Sequence, residues 1–167
     1  MKSHTILKTK NLGDLLLVAD EKALTGVYFA DKDHSTRWKK ETKLDSKHPI
    51  LRQAAEEITD YLNGKRKKFS VPLHFDGTEF QNSVWKQIAR IPFGETISYS
   101  ELAERAGSPA AVRAAGTATG QNPIAIIIPC HRIITKGRTL GGFAGGLDRK
   151  THLLKVENST TNLELKA

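Results

Sequence analysis

Apolar positions along the chain fall into two textures. Residues 5–30 carry short apolar runs, Ile6-Leu7-Lys8, Asp14-Leu15-Leu16-Leu17-Val18-Ala19 and Leu24-Thr25-Gly26-Val27-Tyr28-Phe29, separated by Gly13 and by Asp20-Glu21-Lys22. Runs of this length bounded by turn residues predict strands. Residues 31–46 are polar and charged and read as a loop. From Pro49 to Leu62 the period lengthens: Ile50, Ala54, Ile58 and Leu62 recur on one stripe, which predicts a helix stopped by Gly64. Phe69 to Phe75 reads as a short strand kept from a central position by its proline, which has no N–H to donate.

After Asp76-Gly77 the pattern becomes helical. Thr78-x-x-Gln81 forms a capping box, and Phe80, Val84 and Ile88 follow at helical spacing until Pro92-Phe93-Gly94. Ser98-x-x-Glu101 forms a second box and opens a short helix ending at Gly107. Ser108-Pro109, an N-cap with proline at the first helical position, predicts a helix from Ala110 to Thr119 stopped by Gly120. Two short helices joined by a tight turn make a helix-turn-helix candidate, although many helical hairpins bind nothing. Ile124–Ile128 reads as a buried strand, Thr135–Gly146 as a glycine-dense loop, and Leu147–Glu157 as a last helix. There are no internal repeats and no low-complexity segments. The change of texture places one domain at residues 1–75 and a second at 76–167.

Composition narrows the classes. In 167 residues, 38% hydrophobic content is enough for a buried core. A single cysteine excludes a disulfide framework and any multi-cysteine zinc site, and it fits a reducing compartment. No stretch has the layout of a secretory signal, and no apolar run approaches the ~20 residues that span a bilayer, so the expected location is the cytoplasm. Lys and Arg exceed Asp and Glu by 26 to 18, a formal charge of +8, which suits nucleic acid as a partner or ordinary solubility. The run Lys65-Arg66-Lys67-Lys68 is the densest basic stretch and reads more readily as a solvated loop than as a binding site.

The candidate chemistry lies in Ile128-Pro129-Cys130-His131-Arg132, which holds the only thiol. A free thiol is mostly protonated at neutral pH, and a neighbouring cation or imidazole raises its thiolate fraction. His131 and Arg132 are candidates for that role by position, while the bland alternative is a small core hydrophobe. The helix Ala110–Thr119 carries almost no bulk except Arg113. That composition suits close packing within the protein, or a shallow approach to DNA with one long side chain inserted. The glycine-dense loop could line a pocket for a flat ligand with Phe143, or be a plain linker. Glu157 returns toward the core or stays at the surface, and the pattern leaves that open.

Together these stretches resemble the O6-alkylguanine-DNA alkyltransferases, which repair alkylated guanine by taking the alkyl group onto their own cysteine. The resemblance is dense from about Thr78 to Glu157, through "FQNSVWKQIARIPFGETISYSELA", "NPIAIIIPCHRII" and "GGFAGGLDRKTHLLKVE". It is loose over residues 1–75. It implies an α/β protein of two domains: a small N-terminal antiparallel sheet with helices in a ribonuclease H-like roll, and a mostly helical C-terminal domain with a helix-turn-helix and the active cysteine. The implied activity is single-turnover methylated-DNA–protein-cysteine S-methyltransfer from O6-alkylguanine, with O4-alkylthymine undecided, after nucleotide flipping. Cys130 is the implied acceptor. His131 takes its proton through a water, and Glu157 orients the imidazole. Tyr99 pushes the 3′ phosphate and donates to the guanine ring. Arg113 fills the gap in the duplex, on a DNA-binding face with Ala114, Thr117 and Ala118. In the implied base pocket the carbonyls of Cys130 and Ile133 and the main chain near Ala144 read the base edge, and Phe143 supplies a wall. Asn122 braces the turn before the cysteine, and Lys150 steadies the active-site loop.

One departure is Phe143, where many relatives have tyrosine; the ring remains but the hydroxyl does not. A zinc site found in some relatives cannot be built with one cysteine, so neither metal nor cofactor is expected. The expected partner is double-stranded DNA containing O6-alkylguanine, bound by a monomer, with cooperative assembly on DNA left open. The nearest rival is a non-catalytic sensor of alkylated DNA with the same fold; the related sensor proteins carry tryptophan in place of the cysteine. More distant rivals are a cysteine hydrolase or redox protein and a sequence-specific regulator.

Overall fold

The computed structural model describes residues 1–158, apart from the side chains of Asp33 and His34. The described chain forms two compact units: Met1–Phe75 with Pro123–Ala125, and Asp76–Asn122 with the described residues from Ile126 on.

The first unit is a sheet in the order β3-β2-β1-β4. Strands β1 (Ser3–Lys8), β2 (Asp14–Ala19) and β3 (Leu24–Phe29) are antiparallel neighbours, and the two-residue β4 (Lys43–Leu44) runs parallel to β1. Leu15 to Ala19 are all buried, which is why β2 reads as a continuous apolar run rather than an alternation. Asp20 closes the β2–β3 turn by accepting from the main-chain N–H groups of Lys22 and Ala23. The outer edge of β3 is not left bare: Leu24 N donates to Pro72 O, His74 N to Leu24 O, and Val27 N to Pro123 O, while Ala125 N donates to Val27 O. Leu73 and Ile124 thus make single bridges here, and neither the segment 69–75 nor the run 124–128 forms the expected strand. In the second case Ile126 has φ 72°, a left-handed conformation that breaks an extended run and is rare for a β-branched residue.

Residues 31–46 are not the expected loop. Helix α1 (Asp33–Glu41) forms there, with no side chain capping its N-terminus. Tertiary contacts hold it: the buried Ser35 donates to the carbonyls of Ala30 and Lys32, and Trp38 stacks on Tyr28 with ring centroids 6.0 Å apart. Helix α2 (Pro49–Leu62) has the expected bounds, but its buried face is Leu51, Ala54, Ile58 and Tyr61. Ile50 and Leu62 lie at its margins. Glu57 falls on the buried face because its carboxylate accepts from Gln53, from the N–H and hydroxyl of Ser70, and from Val71 N.

The second unit is mostly helical. The Thr78–Gln81 capping box opens α3 (Glu79–Ala89), which buries Val84, Trp85 and Ile88. Helix α4 (Tyr99–Arg105) has half the expected box: Ser98 Oγ accepts from Glu101 N, but the Glu101 carboxylate turns forward to Arg105 at 3.1 Å. Helix α5 (Val112–Gly120) begins later than expected, because Ala111 N donates to Ser108 O and Ser108-Pro109-Ala110-Ala111 forms a turn instead. Trp85 Nε1 donates to Ala118 O at 2.8 Å, tying α3 to α5. Strands β5 (Ile97–Ser98) and β6 (Ile133–Ile134) form a short parallel pair, and α6 (Leu147–Val156) is the last described element.

Candidate active site

The β5–β6 pair brings two distant stretches together. Tyr99 directly follows β5 as the first residue of α4, and the 3₁₀ turn Cys130–Arg132 directly precedes β6. Pro129 and Cys130 are thus held by the turn, with Cys130 N donating to Ile128 O and Arg132 N to Pro129 O. A 3₁₀ turn sends consecutive side chains in different directions, so Cys130, His131 and Arg132 each meet a different environment.

Cys130 is 7% exposed and borders a cavity of about 170 Å³ lined by Tyr99, Gly116, Thr119, Gly120, Gly142, Phe143 and Ala144. Drug-sized ligands occupy roughly 300–1,000 Å³, so this space suits a ligand the size of a single ring system. Tyr99 forms one wall through two close approaches. A Cβ at Gly116 would stand 3.6 Å from its ring, and one at Gly141, where φ is +67°, would stand 3.2 Å from it. Burial pushes the Tyr99 phenol above its ordinary pKa, and a charge on Cys130 would push it further, so its proton stays available.

His131 is fully buried, and its Nε2 lies 2.7 Å from Glu157 Oε2. Glu157 therefore returns to the core. It also accepts from Arg132 Nε and Nη2, both at 2.8 Å, and from Gly94 N. Burial opposes ionisation of this carboxyl, but the hydrogen bonds from His131 and Arg132 and the Arg132 charge outweigh it and hold its pKa at about 2. Burial pushes the His131 pKa down, and Arg132 and Lys150 add to that against the pull of Glu157, so the imidazole is neutral at rest.

Arg132 does not serve the thiol, contrary to the expectation from adjacency. Its remaining donor, Nη1, goes to Ile91 O at 2.5 Å, and the group is spent on Glu157 and that carbonyl. Burial pushes the Cys130 thiol up. The Asn122 side-chain amide, the Lys150 charge and the main-chain N–H groups of Cys130 and His131 act against that. The resting group is a protonated thiol with an environment already arranged around the anion.

Asn122 also donates to Ile128 O at 2.7 Å, so one side chain braces the loop and meets the sulfur. Lys150 is fully buried, and its ammonium donates to three carbonyls: Ile133 at 2.6 Å, Gly142 at 3.0 Å, and Leu140. It joins β6 to the loop that supplies Gly142, Phe143 and Ala144. Burial brings its pKa down to about 8. The Ile133 side chain is fully buried and its carbonyl accepts from Lys150, while Phe143 and Ala144 line the cavity.

Helix α5 offers two adjoining faces. Arg113, Ala114 and Thr117 are exposed, and Gly116, Thr119 and Gly120 border the cavity beside them. Ala118, expected with the exposed set, is 2% exposed and faces the core, at the position that accepts from Trp85. The cavity-side residues of α5 went unrecognised in the sequence, although their i, i+3, i+4 spacing places them on one face. Among the described residues no group of three or more His, Cys, Asp or Glu could hold a metal.

The fold and this site define a class: a sheet unit and a helical unit, the latter with a helical hairpin beside a lone thiol backed by a buried His–Glu–Arg cluster. Residues 79–159 match the DNA-binding domain of 6-O-methylguanine DNA methyltransferase, and residues 4–75 match its ribonuclease-like domain. The chain is 40% identical over 161 residues to the constitutive methylated-DNA–protein-cysteine methyltransferase of Bacillus subtilis, covering 94% of this chain and 96% of that one. It is 49% identical over 112 residues to the inducible protein of the same organism, a match spanning 67% of this chain and 63% of that one. Its fold is similar to that of the Mycobacterium tuberculosis protein OGT crystallised in complex with DNA: TM-score 0.84, 36% identity, 95% and 92% of the two chains covered. The chain belongs to the 6-O-methylguanine DNA methyltransferase family.

Proposed function

We propose that this protein repairs O6-alkylguanine in double-stranded DNA by moving the alkyl group irreversibly onto Cys130. The observation that carries this reading is the cavity sized for one flat base that opens on the chain's only thiol. A base paired within a duplex cannot enter such a space, so the nucleotide is turned out of the stack first. The exposed face of α5 meets the minor groove, where Ala114 and Thr117 allow close approach and Arg113 fills the gap left in the duplex. Tyr99 displaces the 3′ phosphate.

Once the base is seated, the thiol loses its proton through a water to His131. Nε2 is engaged with Glu157, so Nδ1 receives it, and the ionised Glu157 steadies the imidazolium. Lys150 and the Asn122 amide stabilise the sulfur anion. The thiolate attacks the alkyl carbon: the S–C bond forms, the C–O6 bond breaks, and the electron pair goes to guanine. The Tyr99 hydroxyl donates to the ring as charge gathers there. In the balanced reaction the thiol proton replaces the alkyl group on guanine. A thioether does not revert to a thiol under mild conditions, so each molecule acts once, without a cofactor.

The protein works as a monomer in the cytoplasm; among the described residues no helix is long and apolar enough to cross a membrane. The reading is tested by titrating it with excess duplex carrying O6-[methyl-³H]methylguanine. Label should accumulate on protein to one equivalent and stop, with none on Cys130→Ser that still binds the duplex. Continued turnover, or no label on protein, would refute it.

A further inference from the structure

We infer that the loop Lys65–Lys68 is a contact for the phosphate backbone of DNA, separate from the helical hairpin. The inference rests on the functional reading above for the nature of the polyanion.

Charge distribution is the first argument. Residues 1–75 hold 15 of the 26 Lys and Arg but 10 of the 18 Asp and Glu, a net +5 out of the chain's +8. Lys65, Arg66, Lys67 and Lys68 account for four of those five charges. Without this loop the first unit would be nearly neutral, so the excess is concentrated in one place rather than spread for solubility. Geometry is the second. Helix α2 ends with Gly64 at φ +75° and Lys65 N donating to Asp60 O, which throws the chain sharply off the helix axis. On the far side of the loop, the buried Glu57 holds Ser70 and Val71 by three hydrogen bonds.

Between these anchors Arg66 turns inward, donating to Lys68 O at 3.2 Å and standing 4.0 Å from Glu57. The one arginine thus closes the loop, and Lys65, Lys67 and Lys68 remain exposed around it. Among the described residues the ammonium groups of Lys65 and Lys68 meet no carboxylate within 4 Å. A cluster of exposed cations on a loop anchored at both ends is what backbone phosphates recognise without regard to sequence. The competing explanation is that these lysines complement the negative end of the α2 dipole. It predicts an effect on stability and none on DNA.

The test compares the full chain with Lys65→Ala/Lys67→Ala/Lys68→Ala, leaving Arg66 in place. Binding to an unmodified duplex is measured across a salt series. The slope of log K against log salt should become shallower by about 2 to 3, at ~0.9 for each phosphate no longer neutralised. The triple arginine variant should keep the wild-type slope. Methyl transfer from free O6-methylguanine base and the midpoint of thermal unfolding should stay at wild-type values. An unchanged slope overturns the inference, and a lowered unfolding midpoint with an unchanged slope assigns the lysines to the helix end. Wild-type protein that itself bound duplex without salt dependence would instead count against the functional reading.

Discussion

Replacing Glu157 by glutamine tests the buried cluster under the thiol. The carboxylate accepts from four donors: His131 Nε2, Arg132 Nε and Nη2, and Gly94 N. Glutamine offers one acceptor oxygen and sets an amide NH₂ against the remaining donors, leaving the nearly buried Arg132 guanidinium without its counter-charge. The native environment lowers the Glu157 pKa from 4.5 to about 2, which at about 1.4 kcal/mol per unit amounts to roughly 3 kcal/mol. Breaking one side of a buried ion pair costs about 3–5 kcal/mol, so the two routes lead to the same size of effect. The sign with pH follows. A carboxylate whose folded pKa is depressed stabilises the fold above its unfolded pKa and loses that contribution as pH falls from 4.5 toward 2. Urea unfolding at pH 7 should place Glu157→Gln about 3 kcal/mol below wild type, and the gap should close progressively on acidification below about pH 4.5. A gap under about 1 kcal/mol at pH 7, or one that does not change with pH, would refute the reasoning. Transfer should also slow markedly, because His131 would lose the group that fixes its ring.

Other expectations follow from the same geometry. Arg113→Ala should slow repair of duplex far more than reaction with free O6-methylguanine, as read by single-turnover kinetics on both substrates; equal slowing would remove Arg113 from the duplex-filling role. Gly141→Ala places a methyl 3.2 Å from both Tyr99 and Thr135 at φ +67°, so it should cost about 1–3 kcal/mol in thermal or urea unfolding and slow transfer by displacing Tyr99. Thr78→Ala removes the capping-box hydroxyl of α3 and should destabilise the protein by about 1 kcal/mol while leaving transfer from free base at the wild-type rate, measured in parallel.

What the sequence made legible was local. β2 and β3 have the expected bounds because turn residues close them, and α3 because its capping box is complete. Helix α1 was invisible: it lacks a cap, and its hold on the fold comes from Ser35 and from Trp38 against Tyr28, partners that no periodicity announces. The rotation of the α2 stripe has a similar cause, since Glu57 occupies a buried position only because Ser70 and Val71 return to meet it. The run Ile124–Ile128 looked like a strand because branched apolar residues favour extended structure. The left-handed Ile126 and the departure of Pro123–Ala125 to the edge of β3 leave it irregular. In the site, Cys130, His131 and Glu157 were named through resemblance, and the structure brings His131 and Glu157 together. Arg132 was assigned to the wrong neighbour, since adjacency in sequence gave no sign of Glu157 arriving from the end of α6. Ala118, grouped with the DNA-facing residues of α5, is buried in the core, and the glycines and Thr119 that shape the cavity carry no chemical signature of their own.

The most direct measurement is mass spectrometry of peptides from the protein after mixing with duplex DNA carrying a single O6-methylguanine. The peptide containing Cys130 should gain one methyl group, in proportion to the guanine restored and never beyond one per molecule. Restoration of guanine with that peptide unchanged, or a methyl group found on any other residue, would contradict transfer to the thiol.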